Sequence, residues 1–127
     1  MSEEEKPLIL IVDQHLSTLT SLDSLLSREG YRVTTCSSSA EALKAAAGLK
    51  LDLVIAGRAG PGLQGSALVA KIKSVSPETN VLLLVESNDD SIVAAAIAAG
   101  ADGLLRRSYS ESQVIQRVER LLHAVQA

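Results

Sequence analysis

Short apolar runs separated by helical stripes constrain this chain more than any other feature. Leu8 to Val12 and Val81 to Val85 are continuous rather than alternating, and Leu51 to Ala56 reads as a third strand. Runs of this kind suit strands buried on both faces, and such strands belong to parallel sheets with helices above and below. Tyr31 to Thr35 reads as a second strand and Gly103 to Leu105 as a brief fifth.

The intervening segments carry the helical period. Leu16, Leu19, Leu22, Leu25 and Leu26 recur at helical spacing, and Gly30 follows where a C-terminal cap is wanted. Ser38 with Glu41 forms a capping box that opens a short helix closed by Gly48. A third helix carries Leu68, Val69 and Ile72 and ends before Pro77. Ser87 or Asn88 begins an Ala-rich fourth helix, with Ile92, Val93, Ala96 and Ile97 expected inward and a stop at Gly100. The last, about Glu111 to Val125, has the clearest stripe, in Val114, Ile115, Val118, Leu121, Leu122 and Val125. Five strands alternating with five helices predict right-handed crossovers and a doubly wound α/β domain. The expected sheet is five-stranded, parallel and flavodoxin-like, in the order 2-1-3-4-5.

A length of 127 residues fits one domain, expected over 7–127 behind a flexible tail at 1–6. With no Phe or Trp and only Tyr31 and Tyr109, the core must be aliphatic. A net charge of −3 with mixed signs offers no field for a phosphate backbone, so nucleic-acid binding by this domain is not expected. The single Cys36 cannot form an internal disulfide and reads as a strand-end residue. The acidic start lacks a signal-peptide pattern and no apolar run reaches the ~20 residues of a membrane span, so the expected location is cytoplasmic.

In open α/β sheets ligands sit outside the carboxyl ends of the strands. The residues there are Asp13-Gln14, Gly57, Val85-Glu86 and Arg106-Arg107. His15 and His123 are too isolated for a metal or relay role, no Ser-His-Asp pattern suggests itself, and the serines at helix starts read as caps. Binding another protein is therefore expected, rather than catalysis.

Three segments carry a resemblance: Leu8-Ile9-Leu10-Ile11-Val12-Asp13, Asp52 to Gly57 leading into Gly60-Pro61-Gly62-Leu63-Gln64-Gly65, and Ala98-Ala99-Gly100-Ala101-Asp102-Gly103. Through them the chain resembles the receiver domain of two-component response regulators over nearly its whole length. The resemblance implies an acidic pair after strand one and an aspartate after strand three that hold Mg²⁺, the latter aspartate accepting a phosphoryl group. It implies also a hydroxyl after strand four and a lysine after strand five. Carried over by position, Asp13 stands beside the neutral Gln14, and the phosphoacceptor position falls on Gly57, which has no side chain. Val85 takes the hydroxyl position, followed by Glu86, and Arg107 the lysine position, followed by Ser108 and Tyr109. No Asp or Glu lies between Asp52 and Glu78 to replace the acceptor, and one carboxylate is a poor Mg²⁺ site. No cofactor is expected.

A fixed cation, Arg58 or Arg107, could pair with Asp13 in place of the metal. The resemblance further implies contacts through helix four, strand five and helix five, where Arg106, Tyr109, Arg117 and Arg120 form a candidate face for a signalling partner, an attached output domain or a second copy. The leading expectation is a degenerate, phosphorylation-independent receiver. Its alternatives are a phosphorelay receiver with a displaced acceptor and a small anion-binding domain using the Gly57 loop and Arg58.

Overall fold

The computed structural model describes residues 6–59, 62, 65–87 and 89–123. Its elements run β1 (Leu8–Val12), α1 (Leu16–Arg28), β2 (Arg32–Cys36), α2 (Ser39–Gly48), β3 (Leu53–Ala56), α3 (Gly65–Val75), β4 (Asn80–Val85), α4 (Asp90–Ala99), β5 (Gly103–Arg106) and α5 (Glu111–His123). All five strands pair in parallel in the expected order β2-β1-β3-β4-β5.

Because successive strand residues point to opposite faces, each apolar run feeds two cores. Leu10, Val12, Val54, Ala56, Leu83 and Val85 pack with Leu68, Val69 and Ile72 of α3 and Ala96 of α4. Ile9, Ile11, Leu53, Ile55, Leu82 and Leu84 pack on the other face with Leu19, Leu22, Leu25 and Leu26 of α1 and with Val114 and Val118 of α5. This two-sided burial is why the runs are continuous, and the side chains doing it are aliphatic.

Several boundaries and faces differ from expectation. Tyr31 precedes β2, because its N–H returns to the Leu26 carbonyl and closes α1 around Gly30 at φ 94°. Leu51 is buried but lies outside the ladder, as does Asp52, whose carboxylate accepts the Leu8 N–H at 2.8 Å. Asp89, not Ser87 or Asn88, caps α4, accepting the Ile92 N–H at 3.1 Å; Asn88 lies outside the described residues. Leu16, the first residue of α1, is 75% exposed. Ile92 and Ile97 of α4 are exposed as well, leaving Ala96 as the buried contact. A helix that is apolar all round carries no directional signal, so its period could not say which side faces the sheet.

Residues 1–5 of the expected tail and Val125 of the last stripe lie outside the described residues; the Lys6 carbonyl accepts from Arg32 Nε at 3.0 Å. No helix among the described residues is long and apolar enough to cross a membrane. Ser38 caps α2: its Oγ accepts the Glu41 N–H at 3.2 Å, and its hydroxyl donates to Glu41 Oε1 at 3.0 Å. Ser38→Ala is expected to cost about 1 kcal/mol, read as a lower midpoint of urea unfolding with unchanged slope.

Candidate functional site

The loops at the carboxyl edge bring Asp13, Gly57, Glu86 and Arg107 together. Asp13 follows β1 and is fully buried. Its N–H donates to the Cys36 carbonyl at 3.1 Å, continuing the β1–β2 ladder by one residue. Gly57 follows β3 in the same way, donating to the Val12 carbonyl at 2.8 Å. Arg107 follows β5, its N–H donating to the Val85 carbonyl at 2.9 Å. The backbone ladders thus set where these side chains begin.

A buried carboxylate must be matched in charge and hydrogen bonding. Asp13 Oδ1 accepts the His15 N–H at 2.8 Å and lies 3.0 Å from His15 Nδ1. Asp13 Oδ2 accepts a hydrogen bond from Arg107 Nη2. Arg107 in turn places Nε 3.0 Å from Glu86 Oε1. Its side chain is 18% exposed, against 61% for Glu86, so the strong end of this Asp13–Arg107–Glu86 chain is the inner one. Burial by itself raises the Asp13 pKa. The His15 N–H, the hydrogen bond and charge of Arg107 and the His15 ring outweigh it, and the net value lies below the ordinary 3.8.

That direction fixes a pH dependence. A carboxyl with a depressed folded-state pKa contributes stability that is complete above its unfolded value and lost as the pH falls through the folded one. Stability from Asp13 is therefore expected to decline as the pH drops from about 3.8 toward the lower folded value. Urea unfolding across that window, with Asp13→Asn as the comparison, checks it. The variant's stability is expected to fall less steeply with acid than that of the parent.

Gly57 is where the pair closes. A Cβ there would lie 2.1 Å from Asp13 Oδ2 and 2.8 Å from Arg107 Nη2. Any side chain at this position collides with the ion pair as it stands.

The other residues singled out from the sequence fall as follows. Gln14 is exposed, and its N–H donates to the Arg58 carbonyl. The Arg58 side chain is exposed and forms no ion pair among the described residues, so Arg107 is the cation on Asp13. Val85 is buried at the end of β4. Arg106 and Arg120 are exposed, whereas Arg117 donates from Nη1 to the Leu104 carbonyl within the chain. Tyr109 is half-buried against the α1 and α5 core, where burial raises its pKa. Burial likewise pushes the Cys36 thiol up to about 11.

Two roles were missed. His15, set aside as too isolated for a metal or relay role, is exposed but turns its ring onto Asp13. The signal was local, an Asp whose side chain can reach the backbone N–H two residues on, as in an Asx turn. Glu86 is the outer partner of Arg107, a pairing that depends on β4 and β5 lying side by side.

Residues 9–119 match the family described as the response regulator receiver domain. Among curated relatives, the chain is 31% identical over 114 residues to the alkaline phosphatase synthesis transcriptional regulatory protein PhoP of Bacillus subtilis, covering 90% of this chain and 48% of that protein. It is 30% identical over 118 residues to the transcriptional regulatory protein PrrA of Mycobacterium tuberculosis, covering 91% of this chain and 50% of that one. The chain thus spans about half the length of these relatives. In fold it is similar to a CheY-like receiver domain protein of Methanospirillum hungatei, with a TM-score of 0.88 at 21% identity over 94% of this chain and 96% of that one. It is also similar to the chemotaxis protein CheY4 of Vibrio cholerae, with a TM-score of 0.85 at 24% identity over 92% and 99% of the two chains. With the (βα)₅ sheet and the strand-end pocket already in place, the family match settles the assignment: the chain belongs to the response regulator receiver domains of two-component signalling.

Proposed function

We propose that this receiver domain is a degenerate one that signals without taking up a phosphoryl group, as a protein-interaction module held in one state by the Asp13–Arg107 pair. The observation that carries the reading is the closure of this pair over Gly57. Phosphoryl transfer to a carboxylate needs an open nucleophilic oxygen and a divalent ion to neutralise the phosphoryl oxygens. Gly57 offers no oxygen. The residues here do not fit Mg²⁺ either: Asp13 has one oxygen on His15 and the other on Arg107, and Gln14 beside it is neutral. The guanidinium supplies the positive charge that a metal would bring, as a fixed part of the chain.

The partner is another protein, whether an attached output segment or a separate signalling protein. The length of the relatives, about twice this chain, and their names as transcriptional regulatory proteins favour the attached segment. Arg106 and Arg120 on the β5 and α5 side are exposed and remain the charged contacts suited to such a partner.

Adding Mg²⁺ and beryllofluoride, a phosphoryl mimic, to ¹⁵N-labelled protein tests the reading. The amides of Asp13, Gly57 and Arg107 are expected to stay in place at millimolar Mg²⁺. Saturable shifts confined to these loops would mean that an acceptor survives, and the reading would fall.

A further inference from the structure

The carboxyl edge holds a second feature beyond the ion pair. A cavity of about 480 Å³ lies beside Gly57 and Arg107, between Arg58, the start of α3, Glu86-Ser87 and α4. Its volume falls within the ~300–1,000 Å³ of small-ligand sites. Leu83 and Val85 of β4 and Ile92 and Ala95 of α4 provide apolar lining, and Ser66, Ser87 and Ser91 contribute to it. Arg58, Glu86 and Arg107 are its charged residues.

The charges in this lining are unequal. Arg107 is already matched, by Asp13 on one side and by Glu86 at 3.0 Å on the other. Arg58 has no carboxylate partner among the described residues. A largely apolar cavity is thus left with one unmatched guanidinium.

We infer that this cavity binds a small amphipathic monoanion, a short-chain or aromatic carboxylate. Its apolar body lies against Val85, Ile92 and Ala95, and its carboxylate meets Arg58. A guanidinium recognises a carboxylate through two parallel hydrogen bonds, a match that a neutral alcohol cannot supply. A dianion such as phosphate suits the site less. The second charge has no cation left to meet and faces Glu86, and phosphate has no apolar body to cover the aliphatic wall. The inference goes beyond phosphorylation independence and does not rest on it: Gly57 also lines the cavity, but binding draws on the aliphatic wall and Arg58, not on the lack of an acceptor at 57. An occupant would touch Val85 and Arg107 at once and so reach the residue that closes over Gly57.

Hexanoate, hexanol and inorganic phosphate, titrated separately into the ¹⁵N-labelled full chain, test this. Hexanoate is expected to give saturable millimolar shifts centred on Ser66, Val85 and Ala95. Hexanol is expected to bind about tenfold more weakly or less, and phosphate to leave these amides in place. Arg58→Gln is expected to bring hexanoate down to the level of hexanol without altering the latter. Ala95→Phe, at an exposed helical position that folding tolerates, should fill the cavity and abolish both. Equal affinity for hexanoate and hexanol would overturn the inference, as would phosphate binding more tightly than hexanoate. Shifts that survive Ala95→Phe, or no shifts at all in a variant-free titration, would overturn it too.

Discussion

Replacing Asp13 by Ala is expected to destabilise the domain by about 2–3 kcal/mol and to lower its melting temperature by roughly 10 °C. Removing one member of a buried pair typically costs ~3–5 kcal/mol, chiefly because the other charge is left without compensation. Two features reduce that here: the Arg107 side chain is 18% exposed, and it keeps Glu86 at 3.0 Å. The His15 N–H, which now donates to Asp13, loses its acceptor in the same step. Arg107→Met should cost less than the carboxylate deletion only if burial of the remaining Asp13 is relieved by protonation, so its penalty should grow as the pH rises. In the double variant the two costs are expected to fall well short of additive, because both substitutions remove one shared interaction. Urea unfolding of the four proteins measures the cycle. If Asp13→Ala shifts stability by less than about 0.5 kcal/mol, or if the two effects simply add, the ion pair does not hold the pocket.

Gly57→Asp, which restores an acidic residue after β3, is expected to lower stability by about 2–4 kcal/mol and still not yield a phosphorylated protein. The cost begins with the Cβ. At 2.1 Å from Asp13 Oδ2 it demands movement of a short carboxylate held by His15 and Arg107, and overpacking of this kind costs ~1–3 kcal/mol before any charge is added. The new carboxylate then lies beside Asp13, where like charges oppose each other's ionisation. Gly57→Ala separates the two contributions, since it carries the Cβ without the charge. Intact-mass spectrometry after incubation with Mg²⁺ and acetyl phosphate reads phosphorylation directly. Stoichiometric uptake by the Asp variant would mean that Arg107 yields its place readily, contrary to a closed pocket.

How much of this was legible beforehand differs from element to element. The continuous runs at Leu8 to Val12 and Val81 to Val85 identified parallel strands, because only burial on both faces explains them. The α5 stripe was legible for the complementary reason: polar residues between Val114, Ile115 and Val118 mark the outer side. The α4 segment had no such contrast, and its exposed Ile92 and Ile97 were assigned inward. The β3 start was placed early because Leu51 is as apolar as Leu53 to Ala56, although Asp52 separates them and Leu51 lies outside the ladder.

By itself, then, the sequence determined the alternation of elements, the aliphatic core and the residue types that stand at the strand ends, among them a glycine in place of a side chain at 57. Only the tertiary structure decided between Arg58 and Arg107 as the partner of Asp13. Arg58 is nearer to Gly57 in the chain, yet it is exposed and forms no ion pair with Asp13. Arg107, 94 residues from Asp13, is delivered by the β4–β5 register that sets Arg106 beside Val85. Periodicity and composition report burial, a property of each segment alone. Ion pairing depends on distances between segments, which exist only once the sheet has brought their ends together.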